Sequence, residues 1–371
     1  MTNTNSSTTR VADYITELLP WAHGHQLKGI TDFVLAIIET QTGNQAEIAR
    51  SFGNQEASVK RLSRLIHNER IQPKALAQAV LLQSLRQLPS SGKIRLAIDW
   101  TIEASQHLLV ISLIIGGRAT PIYWRAYNEN VLKGRMRRYE MAVIKRVLTL
   151  MLKQVSKRRI FVTADRGFAD VDLFDLLEKF KVRYIVRVKG STNICFEGEW
   201  RKLATMGFSG NQRRRTLGRC AYCQSSPHTL YISLSRARNK KGKWGIWYLI
   251  SNMNLSAKAM AYEYQKRFGC EEGFRDAKWW LGFSQARIKD IKAWSRMFAL
   301  FAISLLIIVT LACTLLLTGA FAQSLLRQVV SRRRTRCELS LVSAMVALIH
   351  LDKTLFQFLL PFTKLNLEAS L

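Results

Sequence analysis

Acidic residues are scarce in this chain. Against 56 lysines and arginines stand 26 aspartates and glutamates, a formal charge of +30 over 371 residues. Self-repulsion on that scale lowers the stability of a compact chain, so the imbalance calls for a polyanionic partner, either nucleic acid or an anionic membrane surface. A small-molecule substrate does not account for it. The six cysteines (Cys195, Cys220, Cys223, Cys270, Cys313, Cys337) form no disulfide framework, and MTNTNSSTTR lacks the features of a secretory signal. A reducing cytoplasm is therefore expected. Cys220-x2-Cys223 with His228 lacks a fourth ligand at zinc spacing, the six histidines suggest no catalytic dyad, and no internal repeat is visible.

What is present begins with the positive charge and its distribution. Lys60, Arg61 and Arg64 are followed by Arg135, Arg137 and Arg138, then Arg213, Arg214 and Arg215, then Arg332, Arg333 and Arg334. A membrane-surface protein concentrates such charge on one amphipathic helix or tail. Charge spread along the chain suits a protein that follows a long phosphate backbone. One stretch points the other way: from Met297 to Leu326 there is no charge, and FALFAISLLIIVTLACTLLL has the length and hydropathy of a membrane span. A helix buried on all sides within a large α/β core has the same composition. The core helix is the expectation, since a lone late span leaves the chain's acidic positions unexplained.

Residues 10–85 read as helical. NQAEIARSF (44–52), Gly53 and NQEASVKRLSRLIHNERI (54–71) form a helix-turn-helix-like pattern. Ala49 permits close approach, Gly53 supplies the turn and Val59 packs back, leaving Lys60, Arg61 and Arg64 on the exposed side. After LPSSGK the texture becomes β-like: KIRLAID (93–99), HLLVISLII (107–115) and ATPIYWRAY (119–127), the last two joined at Gly116–Gly117. An amphipathic helix over 134–156, a strand RIFVTA (159–164), a helix near 170–180 and a strand YIVRV (184–188) follow. Three antiparallel strands, helix, strand, helix, strand fits the ribonuclease H-like order, although mixed α/β runs alone suit other folds equally and the choice rests partly on the resemblance given below. Residues 189–245 hold polar β-like pieces and a basic loop, NKKGK, an inserted β-rich subdomain. GIWYLISN (245–252) restores a core strand, and a polar helix spans about 256–279.

Asp99 ends the first strand and Asp165 the fourth. A single Asp after an apolar strand is usually a turn former or helix cap. Two at the ends of strands that neighbour each other in a ribonuclease H-like sheet would lie a few ångströms apart, and such a pair repels unless cations sit between. Tyr264, Arg267, Glu271 and Lys278 fall on one stripe of a helix at about 100° per residue, while Glu272 points about 100° away from Glu271. One acid among a phenol, a guanidinium and an ammonium suits a metal held beside phosphate oxygens. Charged residues on one helix face can equally be a solvated surface.

Tyr-x2-Arg-x3-Glu-x6-Lys, present here as Tyr264, Arg267, Glu271 and Lys278, resembles the signature of the Asp-Asp-Glu insertion-sequence transposases of bacteria, the hairpin-forming insertion sequence four family. Asp99-x-Thr101, Asp165-Arg166-Gly167-Phe168, YIVRVKG (184–190) and SVKRLSRLIHNERI (58–71) are similar in order; Trp100 departs from a position that many relatives fill with a small or acidic residue. The resemblance covers most of residues 45–320. It implies a ribonuclease H-like core in two parts, 91–188 and 246–322, interrupted by the β-rich insertion at 189–245. A helical DNA-binding domain over 1–90 and a C-terminal helical region over 323–371 flank that core. It also implies two Mg²⁺ or Mn²⁺ ions held by Asp99, Asp165 and Glu271, with Tyr264, Arg267 and Lys278 on phosphates near the cut. The expected partners are terminal inverted repeats, target DNA and a second copy of the chain in the synaptic complex, in the bacterial cytoplasm with the nucleoid. Hairpin chemistry needs a base held out of the stack, for which Trp244 and Trp247 are the candidate platforms.

Overall fold

The computed structural model describes residues 3–103, 105–224, 228–238, 242–269, 281–316, 322–329 and 340–367. Two compact units emerge: Met1–Gly92, Trp100–Met136 and Gly269–Leu371 form the first, and Lys93–Asp99 and Arg137–Phe268 the second.

The first unit opens with five helices, α1 (Asn3–Leu18), α2 (Gly24–Thr40), α3 (Gln45–Arg50), α4 (Gln55–Ile66) and α5 (Pro73–Arg86). The helix pair expected around Gly53 is α3 and α4. Asn44 and Asn54 cap the two N-termini, their side chains accepting from Ala46 N and Ala57 N. Gly53 lies at φ +80, a left-handed turn that a side chain would strain. The buried face of α4 is Ser58, Leu62 and Ile66, at intervals of four, whereas Val59 is only partly covered. Val59 was the wrong choice of packing residue because its position lies about a quarter-turn off that stripe.

Strand β1 (Ile94–Glu103) begins in the second unit and ends in the first, where β2 (Gln106–Ile115) and β3 (Arg118–Asn128) pair as an antiparallel hairpin. Every residue of β2 is buried, which explains its unbroken apolar run. A short helix, α6 (Glu129–Leu132), follows β3. Gly269 also belongs to this unit. A Cβ there would stand 2.7 Å from the Gly117 carbonyl oxygen, so only glycine fits.

Residues 297–315 of the charge-free run lie in the helix Ile291–Leu315, whose most apolar 18-residue window is 94% buried inside the fold; residues 317–321 of the run lie outside the described residues. Its length and composition would suffice for a membrane, but its surroundings are protein: β3, α2, α5 and the helix Leu341–Leu351. Polar groups reach it from several sides. Gln87 donates to Thr310 Oγ1 at 3.1 Å and accepts from the Tyr14 hydroxyl at 3.2 Å, and Trp124 Nε1 donates to Ser295 Oγ at 3.3 Å. Arg296, buried on the same helix, donates through Nη1 to the Ile66 carbonyl at 2.8 Å and through Nε to that of Ile71 at 2.6 Å. The long helix thereby satisfies the last carbonyl of α4 and that of Ile71, in the connection to α5.

The second unit is built on a mixed sheet. α7 (Met136–Met151), β4 (Ile160–Ala164), α8 (Val171–Phe180) and β5 (Arg183–Val188) are followed by β6 (Asn193–Phe196), β7 (Glu199–Lys202), β8 (Arg214–Tyr222), β9 (His228–Arg238) and β10 (Trp244–Ser251). The strand order is β1-β4-β5-β10-β9-β8-β6-β7, with β4 parallel to both β1 and β5 and the strands from β10 onward antiparallel. The polar strands of residues 189–245 thus continue the same sheet edge to edge through β10.

Helix α9 (Ala257–Gln265) lies over that sheet, its Met260, Ala261 and Tyr264 packed on Phe161, Ile185 and Leu249. It ends earlier than the sequence pattern suggested. A 3-10 turn, Lys266–Phe268, carries Arg267, and residues 270–280 lie outside the described residues. Spacing of about 100° per residue therefore does not apply across Lys266–Phe268, and the rest of the stripe, Glu271 and Lys278, lies outside the described residues.

If the protein surroundings of Ile291–Leu315 hold in cells, the expressed chain is recovered without detergent. Recovery confined to detergent-extracted membranes would contradict the packing described.

Candidate active site

The parallel pairing of β1 and β4 aligns Ile98 with Ala164, and the next residue on each strand is an aspartate. Asp99 and Asp165 therefore stand side by side where the pairing of the two strands ends, with backbones about 4.8 Å apart. Asp165 follows β4, but Asp99 does not end its strand as the sequence suggested, because β1 runs on to Glu103. Both side chains are partly exposed, 26% for Asp99 and 33% for Asp165. The turn after β4 is fastened by Arg137, which donates to the carbonyls of Phe168 at 3.2 Å and Gly167 at 3.3 Å and pairs with Glu140 at 2.7 Å.

Helix α9 and the 3-10 turn after it bring a phenol and a guanidinium to these acids. The Tyr264 hydroxyl donates to Asp165 Oδ1 at 3.1 Å, and Arg267 Nη1 donates to Asp99 Oδ2 at 3.3 Å. Arg187, on β5, lies 3.8 Å from Asp165. Burial pushes the Asp165 carboxyl up. The Arg166 backbone N–H, the charges of Arg267 and Arg187 and the Tyr264 hydroxyl outweigh it, so the group sits below its ordinary value and is ionised at neutral pH. Burial raises the Tyr264 phenol to about 12, against the opposing charge of Arg267, so it remains a donor.

Glu263, one residue before Tyr264, points to the other end of β1. Its Oε1 accepts from Lys93 at 2.8 Å and its Oε2 from Arg95 Nε at 2.8 Å, with a second Arg95 contact at 3.2 Å. Burial raises this carboxyl, but the hydrogen bonds and charges of Arg95 and Lys93 dominate and hold it at about 2.

Beside α9 is a cleft of about 500 Å³ lined by Arg214, Arg236, Arg238, Lys258, Trp247 and Tyr262, with no acid in its wall. Trp247 is stacked on Phe268 at 5.4 Å and meets Tyr264 edge-on at 5.3 Å, so its ring joins the cleft to the carboxylate site. Trp244 is 54% exposed, with the Arg238 guanidinium 4.7 Å above its ring.

Residues 136–307 match the family model of the transposase DDE domain. No curated protein matches the chain. The matched segment, a little under half of the chain, supports a DDE transposase and thus DNA as substrate. It contains Asp165, Tyr264, Arg267 and the position of Glu271; Asp99 and the N-terminal helices precede it.

Of the candidate residues, Asp99, Asp165, Tyr264 and Arg267 come together, while Glu271 and Lys278 lie outside the described residues. Domains of this kind are generally dependent on divalent metal. Two hard carboxylates on adjacent strands, one held ionised by its neighbours, fit Mg²⁺ or Mn²⁺. Among the described residues no third acid, histidine or cysteine joins them. Lys60, Arg61 and Arg64 are exposed on α4, but two have partners: Lys60 pairs with Glu56 at 2.6 Å, and Arg61 bonds Asp32 at 2.8 Å beneath the rings of Phe33 and Phe52. His228 lies 3.0 Å from Asp175, and burial followed by the charge of Cys195 raises the Cys220 thiol to about 11. Sequence reasoning missed Glu263, Arg187 and Arg137. The two-residue spacing of Lys93, Arg95 and Asp99 on one strand was the available signal for the first.

The depressed Glu263 carboxyl contributes stability that is fully present above its unfolded value of 4.5 and is lost as pH falls through about 2. In acid titrations of unfolding, the wild type is expected to lose up to about 3 kcal/mol more than Glu263→Gln across that window. Parallel curves for the two proteins would show that the ion pairs contribute nothing.

Proposed function

We propose that the protein is a cut-and-paste transposase of the insertion sequence four type. It hydrolyses phosphodiesters at terminal inverted repeats and joins the freed ends to target DNA, passing through a hairpin. The observation that carries this reading is the seating of Tyr264 and Arg267 on two aspartates that stand side by side where the pairing of two adjacent parallel strands ends. Asp99, Asp165 and Glu271 would hold two Mg²⁺ or Mn²⁺ ions. Bound there, divalent ions lower the pKa of a water or 3′-hydroxyl and stabilise the leaving oxygen of an in-line displacement.

The chain's own groups do the rest. Arg267, a planar fork now on Asp99, matches a phosphate's paired oxygens equally well, and Tyr264 and Lys278 add donors on the same strand end. Once the acids are neutralised by cations, Arg267 is released to the DNA. The acid-free cleft takes the strand carried past the cut. Trp247 and Trp244 offer ring faces for a base turned out of the stack, with Arg214, Arg236, Arg238 and Lys258 on its phosphates. On α4, Lys60, Arg61 and Arg64 would bind the inverted repeat away from the cut. The same reading places the enzyme in the cytoplasm with the nucleoid, acting as a homodimer that holds two ends.

Cleavage of a duplex carrying the element's own terminal repeat, with Mg²⁺, is the deciding assay. Asp99→Asn, Asp165→Asn and Glu271→Gln should each lower cleavage at least ~100-fold while gel-shift affinity is kept, and Glu272→Gln should cut normally. Full activity in any of the three carboxamide variants would overturn the site. Nicked product without hairpin or joined product would indicate a nuclease without strand transfer.

A separate measurement addresses α4. Replacing Lys60 and Arg64 with Ala should reduce the slope of log affinity against log salt by about 2. Arg61→Ala should instead loosen the contact with Asp32, Phe33 and Phe52 and lower the melting temperature. An unchanged salt slope in the double variant excludes α4 from the DNA interface.

A further inference from the structure

The charges facing each other between β1 and α9 follow an order. In a strand, residues two apart share a face, so Lys93, Arg95 and Asp99 line one side of β1. On the helix side, Glu263 reaches β1 from α9 and Arg267 from the 3-10 turn that follows it. Base and base followed by acid on the strand meet acid followed by base on the helix: Glu263 takes Lys93 and Arg95, and Arg267 takes Asp99. Sliding α9 forward by one turn would bring Glu263 against Asp99, and reversing its direction would set Arg267 against Arg95. Both alternatives place like charges together in a site with little water, because Glu263 is 7% exposed and Arg267 5%.

We propose that Glu263 is a positioning residue for the phosphoryl-transfer site: clamped by Lys93 and Arg95, it fixes the register of α9 on β1 and so sets Tyr264 on Asp165 and Arg267 on Asp99. This rests on the transposase reading for its chemistry, but the register itself is a property of the fold. Polar pairs that select one register among several are the best-attested use of buried charges. The adjacency matters because Tyr264 follows Glu263 directly, and a shift of about 1 Å at a reacting centre can lower a rate by about 100-fold. Apolar packing of Met260, Ala261 and Tyr264 holds α9 against the sheet without specifying which turn faces Asp99. Glu263 supplies that choice.

A double-variant cycle separates positioning from simple stabilisation. Terminal-repeat cleavage and end binding are measured for wild type, Glu263→Gln, Arg267→Lys and the pair, at a temperature where circular dichroism shows all four folded. Glu263→Gln is expected to slow cleavage at least ~10-fold with end affinity within about twofold, and to add less than about threefold in the Arg267→Lys background. Losses that multiply in full would overturn the proposal, since a residue that merely stabilises the fold acts independently of Arg267. Should Glu263→Gln not fold, Lys93→Met removes one arm of the clamp from a half-exposed position, and the same non-additivity is expected at a smaller loss. Lys93→Met cutting like the wild type would then overturn it. Trp247, packed on Tyr264 and Phe268, gives a readout that needs no catalysis: its emission, isolated by subtracting a Trp247→Phe protein, should shift in Glu263→Gln. A wild type that cuts no DNA while this shift occurs would remove the transposase reading and support the register lock; an unshifted spectrum beside an active wild type would remove the lock and leave the reading.

Discussion

Parallel pairing of β1 with β4, in the register that sets Ile98 beside Ala164, determines where the chemistry can be. Side chains alternate along a strand, so a slip of one residue would turn Asp99 to the opposite face and align Trp100 or Arg166 in its place. With the register kept, two carboxylates emerge side by side, and their mutual repulsion has to be met by positive charge. Arg267, Arg187 and the donor groups of Tyr264 and Arg166 meet it from three directions. The arrangement of α9 over the sheet is thus answerable to an electrostatic demand made by two neighbouring strands.

Four acids of the second unit, Asp99, Asp165, Glu263 and Glu140, face arginine or lysine, and Glu140 is 3% exposed. Such pairing removes acid and base together and leaves the net positive charge of the chain unchanged. The cleft beside Trp247 gathers Arg214, Arg236, Arg238 and Lys258, with no acid among the described residues of its wall. A surface of that kind attracts phosphate over several ångströms and weakens steeply with salt.

Much of this was legible beforehand, for identifiable reasons. KIRLAID, HLLVISLII and RIFVTA stand out as strands because a buried strand is a short, unbroken apolar run. The aspartate after RIFVTA follows its strand as expected, whereas Asp99 interrupts an apolar run without ending the strand, which goes on to Glu103. The helix pair around Gly53 was readable from the turn glycine, which lies at φ +80, and from the small Ala49, which is fully buried. What could not be read was pairing across long sequence distances. Arg95 and Glu263 are 168 residues apart, and nothing in either neighbourhood names the other. The 3-10 turn at Lys266–Phe268 was hidden because its composition continues the helical pattern, although the turn rotates Arg267 relative to an ideal α-helix. The polar strands of residues 189–245 looked separate because alternating, half-exposed strands give weak signals, yet they hydrogen-bond into the same sheet through β10.

The helix Ile291–Leu315 is almost wholly apolar and is covered by α2, α5, β3 and the helix Leu341–Leu351, with Arg296 tied to the carbonyl that ends α4 and to that of Ile71. Two of these covers, α2 and α5, are encoded more than two hundred residues earlier. During synthesis those helices leave the ribosome first and must wait for the helix that completes their packing. If they are lost, by an internal start or by proteolysis, what remains displays a segment indistinguishable by composition from a membrane anchor. A shortened product would be drawn into bilayers or aggregates.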